Sequence, residues 1–363
     1  MAHPIILVAG ARPNFMKVGP IHSELVRRGL ESMLVHTGQH YDHNMSQVFF
    51  DDLGISNPDF YMGVGSDSHS RQTAKIMVQF EELCMKHKPR LVVVVGDVNS
   101  TLACAITSAK LHIPVAHVEA GLRSNDMTMP EEVNRVLTDR VSDFLFTTSR
   151  GASENLVREG IDSGKIHFVG NVMIDSLTYA VNNMANSTIV SELSLGGIDY
   201  GIITLHRPSN VDDYETLSGM LDAIKQISLE KRLVFPAHPR TINSLNSFGF
   251  METIDANDNI SITQPLGYLD FVKLVSHSIF VMTDSGGLQE ETTFLGVPCI
   301  TLRENTERPI TVTQGTNIIA GTSKQSILNS FSNLDFHSEW SKPELWDGRS
   351  ASRIVKIIEN IDY

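Results

Sequence analysis

Short apolar, β-branched runs recur at 5–8, 32–36, 91–95, 114–117 and 144–147, with amphipathic stretches of helical spacing between them. Runs of that length without polar alternation predict strands buried on both faces, as parallel strands of βαβ units are. The pattern pauses over 168–177, and a second series follows at 201–205, 232–236, 260–262, 279–282 and 299–302. The intervening 182–200 is rich in Asn, Ser and Gly, as connecting segments are, and no internal repeat is visible. The prediction is an α/β protein of two Rossmann-like, doubly wound parallel-sheet domains, residues 1–172 and 173–350, followed by a last segment, 351–363. Ligands bind beyond the carboxyl ends of such strands, so the two domains are expected to face each other across a cleft.

Length agrees with this division, because 363 residues exceed the roughly 250 to 300 at which single cores stop growing. With 41% hydrophobic and 20% charged residues the chain can bury the apolar surface that folding requires. A net charge of -13 argues against a surface that seeks nucleic acid or anionic lipid, so neither is an expected partner and any phosphate must meet a local site. Cys84, Cys104 and Cys299 are scattered in apolar stretches, which predicts buried free thiols rather than a zinc site or disulfides. The opening apolar run is too short for a signal sequence and no segment approaches a membrane span, so a cytoplasmic location is expected.

Candidate chemistry falls at the predicted strand ends. Gly10-Ala11-Arg12-Pro13 opens a helical stretch, placing Arg12 and Lys17 at a turn whose amides and dipole favour anions; the alternative is that Gly10 and Pro13 only shape the turn. Asp97, after Gly96, is either an acid of the site or a helix cap. Glu119 follows the fourth run, and Pro130-Glu131-Glu132 opens the next helix, where the two acids also suit the helix dipole. Carboxylates gathered in this way raise one another's proton affinity and can supply an acid and a base near neutral pH.

In the second series, runs end in His206-Arg207-Pro208 and His238-Pro239-Arg240, where histidines suit proton transfer or phosphate contact. Another ends in Thr283-Asp284-Ser285-Gly286-Gly287, with Glu290 and Glu291 just beyond. Glycines after a hydroxyl at a helix start make a cradle of amides for phosphate, and a downstream acid can accept from a ribose diol. No Walker lysine motif, dinucleotide fingerprint or metal-ligand spacing occurs, so no metal or bound cofactor is expected.

Together these blocks resemble the non-hydrolysing UDP-N-acetylglucosamine 2-epimerases along nearly the whole chain. Thr37-Gly38-Gln39-His40, His117-Val118-Glu119-Ala120-Gly121-Leu122-Arg123 and Thr306-Glu307-Arg308-Pro309 carry the resemblance with the motifs above. It implies the two-lobed fold of GT-B glycosyltransferases, with the last helix crossing back to the first lobe, and a homodimer. It implies a UDP-sugar substrate, with Ser285, Gly286 and Gly287 at phosphate, Glu291 on ribose, the 265–271 segment with Phe271 near uracil, and Arg12 and His206 completing the clamp; His238, Lys17 and Arg308 are further binding candidates. Asp97, Glu119 and Glu131 match the family's catalytic acids and His206 its catalytic histidine, in an elimination of UDP to a 2-acetamidoglucal and re-addition on the other face of C2. Gln39 and His40, with Arg71, match a segment that in bacterial members touches a second UDP-N-acetylglucosamine acting as activator.

Two departures matter. His206-Arg207-Pro208-Ser209-Asn210 stands where many members read His-Arg-Arg-Glu-Asn, and 124–129 resembles relatives acting on UDP-2,3-diacetamido-glucuronic acid. That sugar is the alternative substrate. An inverting glycosyltransferase and a non-catalytic nucleotide-sugar sensor are the rival readings, but neither requires acids converging from one lobe.

Overall fold

In a computed structural model of the chain, which describes residues 3–38, 50–336 and 340–361, two parallel sheets account for the strands. The first contains β1 (Ile5–Ala9), β2 (Ser32–His36), β3 (Phe60–Tyr61), β4 (Leu91–Val95), β5 (Val115–Ala120), β6 (Phe144–Thr147) and β7 (Ile166–Phe168), in the order β3-β2-β1-β4-β5-β6-β7. The second contains β8 (Tyr200–Thr204), β9 (Arg232–Pro236), β10 (Ile260–Thr263), β11 (Phe280–Thr283), β12 (Cys299–Thr301) and β13 (Asn317–Ile319), in the order β10-β9-β8-β11-β12-β13. Each sheet grows outward from its first strand in one direction and then in the other, the doubly wound arrangement that the hydrophobic pattern predicts.

Strands β1 and β4 are buried at every position. On one face Ile6, Val8, Val92 and Val94 pack against Ile76, Phe80 and Leu83 of the His69–His87 helix and Ala103 and Cys104 of the Asn99–Lys110 helix. In the second sheet Ile203, Phe235 and Met282 pack with Leu217, Met220 and Leu221 of the Tyr214–Ile227 helix. The other face, Ile202, Val234 and Val281, meets Leu274, Val275 and Leu288. Burying a side chain such as Phe80 contributes about 2–3 kcal/mol. All three cysteines are buried and free.

Strands β3, β7 and β13 escaped the pattern because they are two or three residues long and lie at sheet edges, where one side lacks a partner and apolar runs are not required. Strand β5 runs three residues beyond its predicted end, to Ala120. It carries the polar but buried His117 and Glu119, which interrupt the apolar run without ending the strand.

The chain divides into two compact units, Met1–Tyr179 with Glu344–Tyr363, and Ala180–Pro343. The first division therefore lies inside the Met173–Asn183 helix rather than at 172, and the return begins at 344 rather than 351. Hydrogen bonds explain both positions: Ser176 donates to Met16 O, Trp346 Nε1 to Thr148 O at 3.2 Å, and the Asp175 carboxylate accepts from the Ser350 and Ala351 amides at 3.1 and 2.9 Å. The Ser350–Glu359 helix lies on the Arg12–Arg27 helix, where Arg28 reaches Glu359 at 2.6 Å.

Burial pushes the Asp175 carboxyl up from 3.8 to about 6, against the lowering effect of the two amides. A folded value above the unfolded one means that the contribution is intact below about pH 4 and is lost as pH rises through 6. The stability advantage of the parent over Asp175→Asn is expected to shrink by up to about 3 kcal/mol between pH 4 and pH 7 in urea titrations. A difference independent of pH would count against burial as the cause.

Candidate active site

In the first unit the acids stand where β4 and β5 end. Glu119 is 6% exposed and lies at a register shift between β5 and β6, with its backbone in the left-handed region at φ 72°. A non-glycine residue held there costs about 1–3 kcal/mol, and such strain gathers at functional positions. The bulge turns the Glu119 carboxylate onto Lys17 Nζ, whose ammonium neutralises it. Gly96, at φ 67°, packs against both: a Cβ there would lie 3.2 Å from Lys17 Nζ and 3.4 Å from Glu119 Oε2.

Asp97 is not a helix cap, since Val98 precedes the Asn99–Lys110 helix. Its carboxylate pairs with Arg135, which also binds Glu132, while Asn134 donates to Asp97 O at 2.8 Å. Of the two acids opening the Pro130–Val141 helix, Glu132 is buried and accepts from the Ser124 and Asn125 amides at 3.0 Å. Glu131 is exposed on the same turn. Position thus separates the two: Glu132 holds the 124–125 loop, and Glu131 is open to a reactant.

Arg12 is exposed at the first position of its helix, but the amides expected to attract an anion there are taken. Asn14 Oδ1 accepts from Gly10 N at 3.0 Å and Ala11 N at 2.9 Å, so these two amides of the turn are occupied within the chain. Arg71 is exposed on the His69–His87 helix, whereas Gln39 and His40 lie outside the described residues.

The second unit gathers cations around a fully buried acid. Asp284 accepts from the His206 and Arg207 amides at 3.0 and 2.9 Å and from Asn210 Nδ2 at 3.2 Å, and its Oδ1 lies 2.8 Å from His206 Nδ1. Burial works to raise its carboxyl, but His206 and these amides hold it below the ordinary value. The pairing selects the His206 tautomer protonated at Nδ1, with Nε2 as the basic nitrogen of a ring that is 43% exposed. The His238 ring is 6.1 Å away, and its Nδ1 accepts from Arg240 N at 3.2 Å. Burial, with His206 and Arg240 nearby, lowers the His238 value.

Ser285 caps the Gly286–Leu295 helix, although its amide donates to Thr283 Oγ1 at 2.9 Å, which leaves the cradle to Gly286 and Gly287. Arg308 lies against this helix start: a Cβ on Gly286 would come within 2.6 Å of Arg308 Nη1. Arg308 pairs with Glu290 at 3.0 Å and Glu307 at 3.2 Å, and Glu307 also binds Arg303 at 2.8 Å. Burial would raise Glu307, but Arg308 and Arg303 hold it down at about 2. Glu291 accepts from Tyr268 OH at 2.9 Å, and Phe271 is half-buried on the Tyr268–Ser276 helix. Sequence reasoning named Asp284 in a motif but missed its pairing with His206. It gave Arg135 no role, although that residue follows Glu132 by one helical turn, and it missed Asn14 and Arg303, which lie just beyond β1 and β12.

Among the described residues no His, Cys, Asp and Glu group has the form of a metal site, and no helix is long and apolar enough to cross a membrane. The two doubly wound parallel sheets, with carboxylates at the strand ends of one and cations with helix-start glycines at those of the other, are of the GT-B-like class to which solved UDP-GlcNAc 2-epimerases also belong. A family model described as UDP-N-acetylglucosamine 2-epimerase matches residues 23–359. The chain belongs to that family of isomerases. It is 42% identical over 363 residues to the UDP-N-acetylglucosamine 2-epimerase of Methanococcus maripaludis, covering 98% of each chain. It is 40% identical over 363 residues to the UDP-2,3-diacetamido-2,3-dideoxy-D-glucuronate 2-epimerase of Pseudomonas aeruginosa, covering 98% of this chain and 99% of that one. The crystal structure of Methanocaldococcus jannaschii UDP-GlcNAc 2-epimerase in complex with UDP-GlcNAc and UDP matches with a TM-score of 0.91 at 40% identity, over 98% of this chain and 99% of that one.

Asp284→Ala would leave several buried N–H groups without their acceptor. It is expected to lower unfolding stability by about 2–4 kcal/mol near neutral pH, measured by chemical denaturation. Because the folded value of Asp284 is depressed, the charge-dependent part of the difference should be full above its unfolded 3.8 and be lost as pH falls through the lower folded value.

Proposed function

We propose that the chain interconverts UDP-N-acetylglucosamine and UDP-N-acetylmannosamine by inverting C2. The observation that carries this reading is Glu119, a buried carboxylate in a left-handed backbone at a bulge, paired with Lys17 and beside the Asp97 turn. Loss of a weakly acidic C2 proton needs a carboxylate at hand, and departure of a diphosphate needs cations and amide donors. In the proposed reaction a carboxylate among Asp97, Glu119 and Glu131 takes the C2 proton. The C1–O bond breaks with its electron pair going to UDP, leaving a 2-acetamidoglucal. Return of a proton to the other face of C2, with the diphosphate oxygen attacking C1, completes the inversion.

Arg12, His206, Gly286, Gly287 and Arg308 are assigned to the diphosphate, with His206 also serving proton transfer, Glu291 to ribose and Phe271 to the base. A homodimer and activation by a second UDP-N-acetylglucosamine through Gln39, His40 and Arg71 belong to the same proposal. So does action in the cytoplasm, which agrees with three unpaired thiols. A second substrate, UDP-2,3-diacetamido-glucuronic acid, is favoured by the resemblance of 124–129 and by the similar Pseudomonas aeruginosa enzyme.

Proton NMR of UDP-N-acetylglucosamine in deuterium oxide with the enzyme should show C2 exchange and a UDP-linked manno anomeric signal. Free UDP with N-acetylmannosamine would mean hydrolysis instead, and an inert mixture would move the assay to the diacetamido-uronate. Glu119→Gln is expected to lower turnover by at least about 100-fold while UDP binding, followed by calorimetry, stays within about twofold. Arg12→Ala should weaken UDP binding itself by about tenfold, as loss of one charge-assisted contact does.

A further inference from the structure

Beneath the two acid-bearing strand ends lies a polar network that the proposed chemistry leaves unused. His117 is fully buried, and both of its ring nitrogens meet oxygen: Nε2 donates to Gly96 O at 2.8 Å, and Nδ1 lies 2.6 Å from Asp139 Oδ1. Ring and carboxylate therefore hold two protons between them, one in each hydrogen bond. Asp139 is buried too; its Oδ2 accepts from the Gly121 amide at 3.1 Å and pairs with Arg123 at 2.8 Å. Arg123 in turn grips Glu159 with two bonds of 2.7 Å.

The two backbone groups held in this way are significant for where they lie. Gly96 immediately precedes Asp97, and Gly121 follows Glu119 by two residues; both glycines, like Glu119, have positive φ. The glycines adopt this conformation freely, but Glu119 at φ 72° does not, and a non-glycine residue held there persists only where its surroundings fix it. A Cβ on Gly121 would come within 2.3 Å of Ala152 O, so that turn is also tightly enclosed. Stability alone does not call for charges here, since replacing a buried ionic network by well-packed apolar groups is often neutral or better.

We propose that His117 and Asp139 are positioning residues for the acids: His117 holds the Gly96 carbonyl and Asp139 the Gly121 amide, beside the ends of β4 and β5, and together they hold Asp97 and Glu119 at their working separation. This rests on the reading of Asp97 and Glu119 as reacting acids. Displacement of a reacting group by about 1 Å costs on the order of 100-fold in rate, so loss of either hold acts on kcat.

The test uses two pairs of variants of the full chain. At position 117, His117→Gln places an amide nitrogen near the site of Nε2 and keeps the donor to Gly96, whereas His117→Asn imitates only Nδ1. At position 139, Asp139→Asn can accept from Gly121 while donating to Nδ1, whereas Asp139→Ala can do neither. The expected result is kcat for epimerisation reduced about 10- to 100-fold in His117→Asn and Asp139→Ala. His117→Gln and Asp139→Asn should recover to within about fivefold of the parent, with KM and UDP affinity within about twofold throughout. Equal kcat within each pair, or losses in KM rather than kcat, would overturn the proposal. Should Asp139→Ala not fold, the position 117 pair decides by the same criterion. Asp97→Asn and Glu119→Gln are assayed beside them: parental turnover in those would sink the reading of the acids, whereas their inactivity with a fully active His117→Asn would sink only the positioning role.

Discussion

A parallel sheet covered by helices has no wet face, so its strands are largely apolar and polar groups gather where strands end, a mid-strand exception such as His117 being fully hydrogen-bonded. Parallel pairing then sends every strand end to the same edge. In the first unit this gathers Asp97, Glu119 and, through the helix that follows β5, Glu131; in the second it gathers His206, His238 and the start of the Gly286–Leu295 helix. The chemistry of each unit follows from that restriction, because the polar residues of distant segments share one edge without any sequence proximity.

Charge at these edges is held by pairing rather than by solvent. Lys17 answers Glu119, Arg135 bridges Asp97 and Glu132, and Asp284 lies under His206 with the neighbouring amides turned towards it. Burial raises the cost of each charge and also strengthens each pair, so the geometry tolerates little movement. A protein of net charge -13 thereby presents a local cluster of Arg207, Arg303 and Arg308, with Glu307 partly neutralising it. Such a cluster suits a diphosphate, whose charge is compact, and gives no purchase to an extended polyanion.

Membership of the epimerase family limits the reaction class more tightly than the sugar. The chain is 42% identical to a relative named for UDP-N-acetylglucosamine and 40% identical to one named for UDP-2,3-diacetamido-2,3-dideoxy-D-glucuronate, so similarity bounds the reaction class before it bounds the sugar. Beside His206 this chain carries Pro208 and Ser209, neither of them charged.

The class of fold, the central strands and the strand-end positions of Asp97, Glu119, His206, His238 and Ser285 could be read along the chain, because apolar runs keep their pattern without tertiary context. Edge strands β3, β7 and β13 were not legible, being too short and too exposed to impose a pattern. The site was legible as a set of residue types but not as a set of pairings. Nothing in the chain announced that Lys17 meets Glu119, 102 residues away, that Asp284 holds His206, or that Asn14 occupies the amides expected to attract an anion. Likewise Glu131 and Glu132 are adjacent and alike in sequence, and the turn of the helix leaves one exposed and directs the other to the Ser124 amide. Periodicity is a local property and can be read along the chain; the partner of a charge is set by which segments the sheet order brings together, and that only the tertiary structure decides.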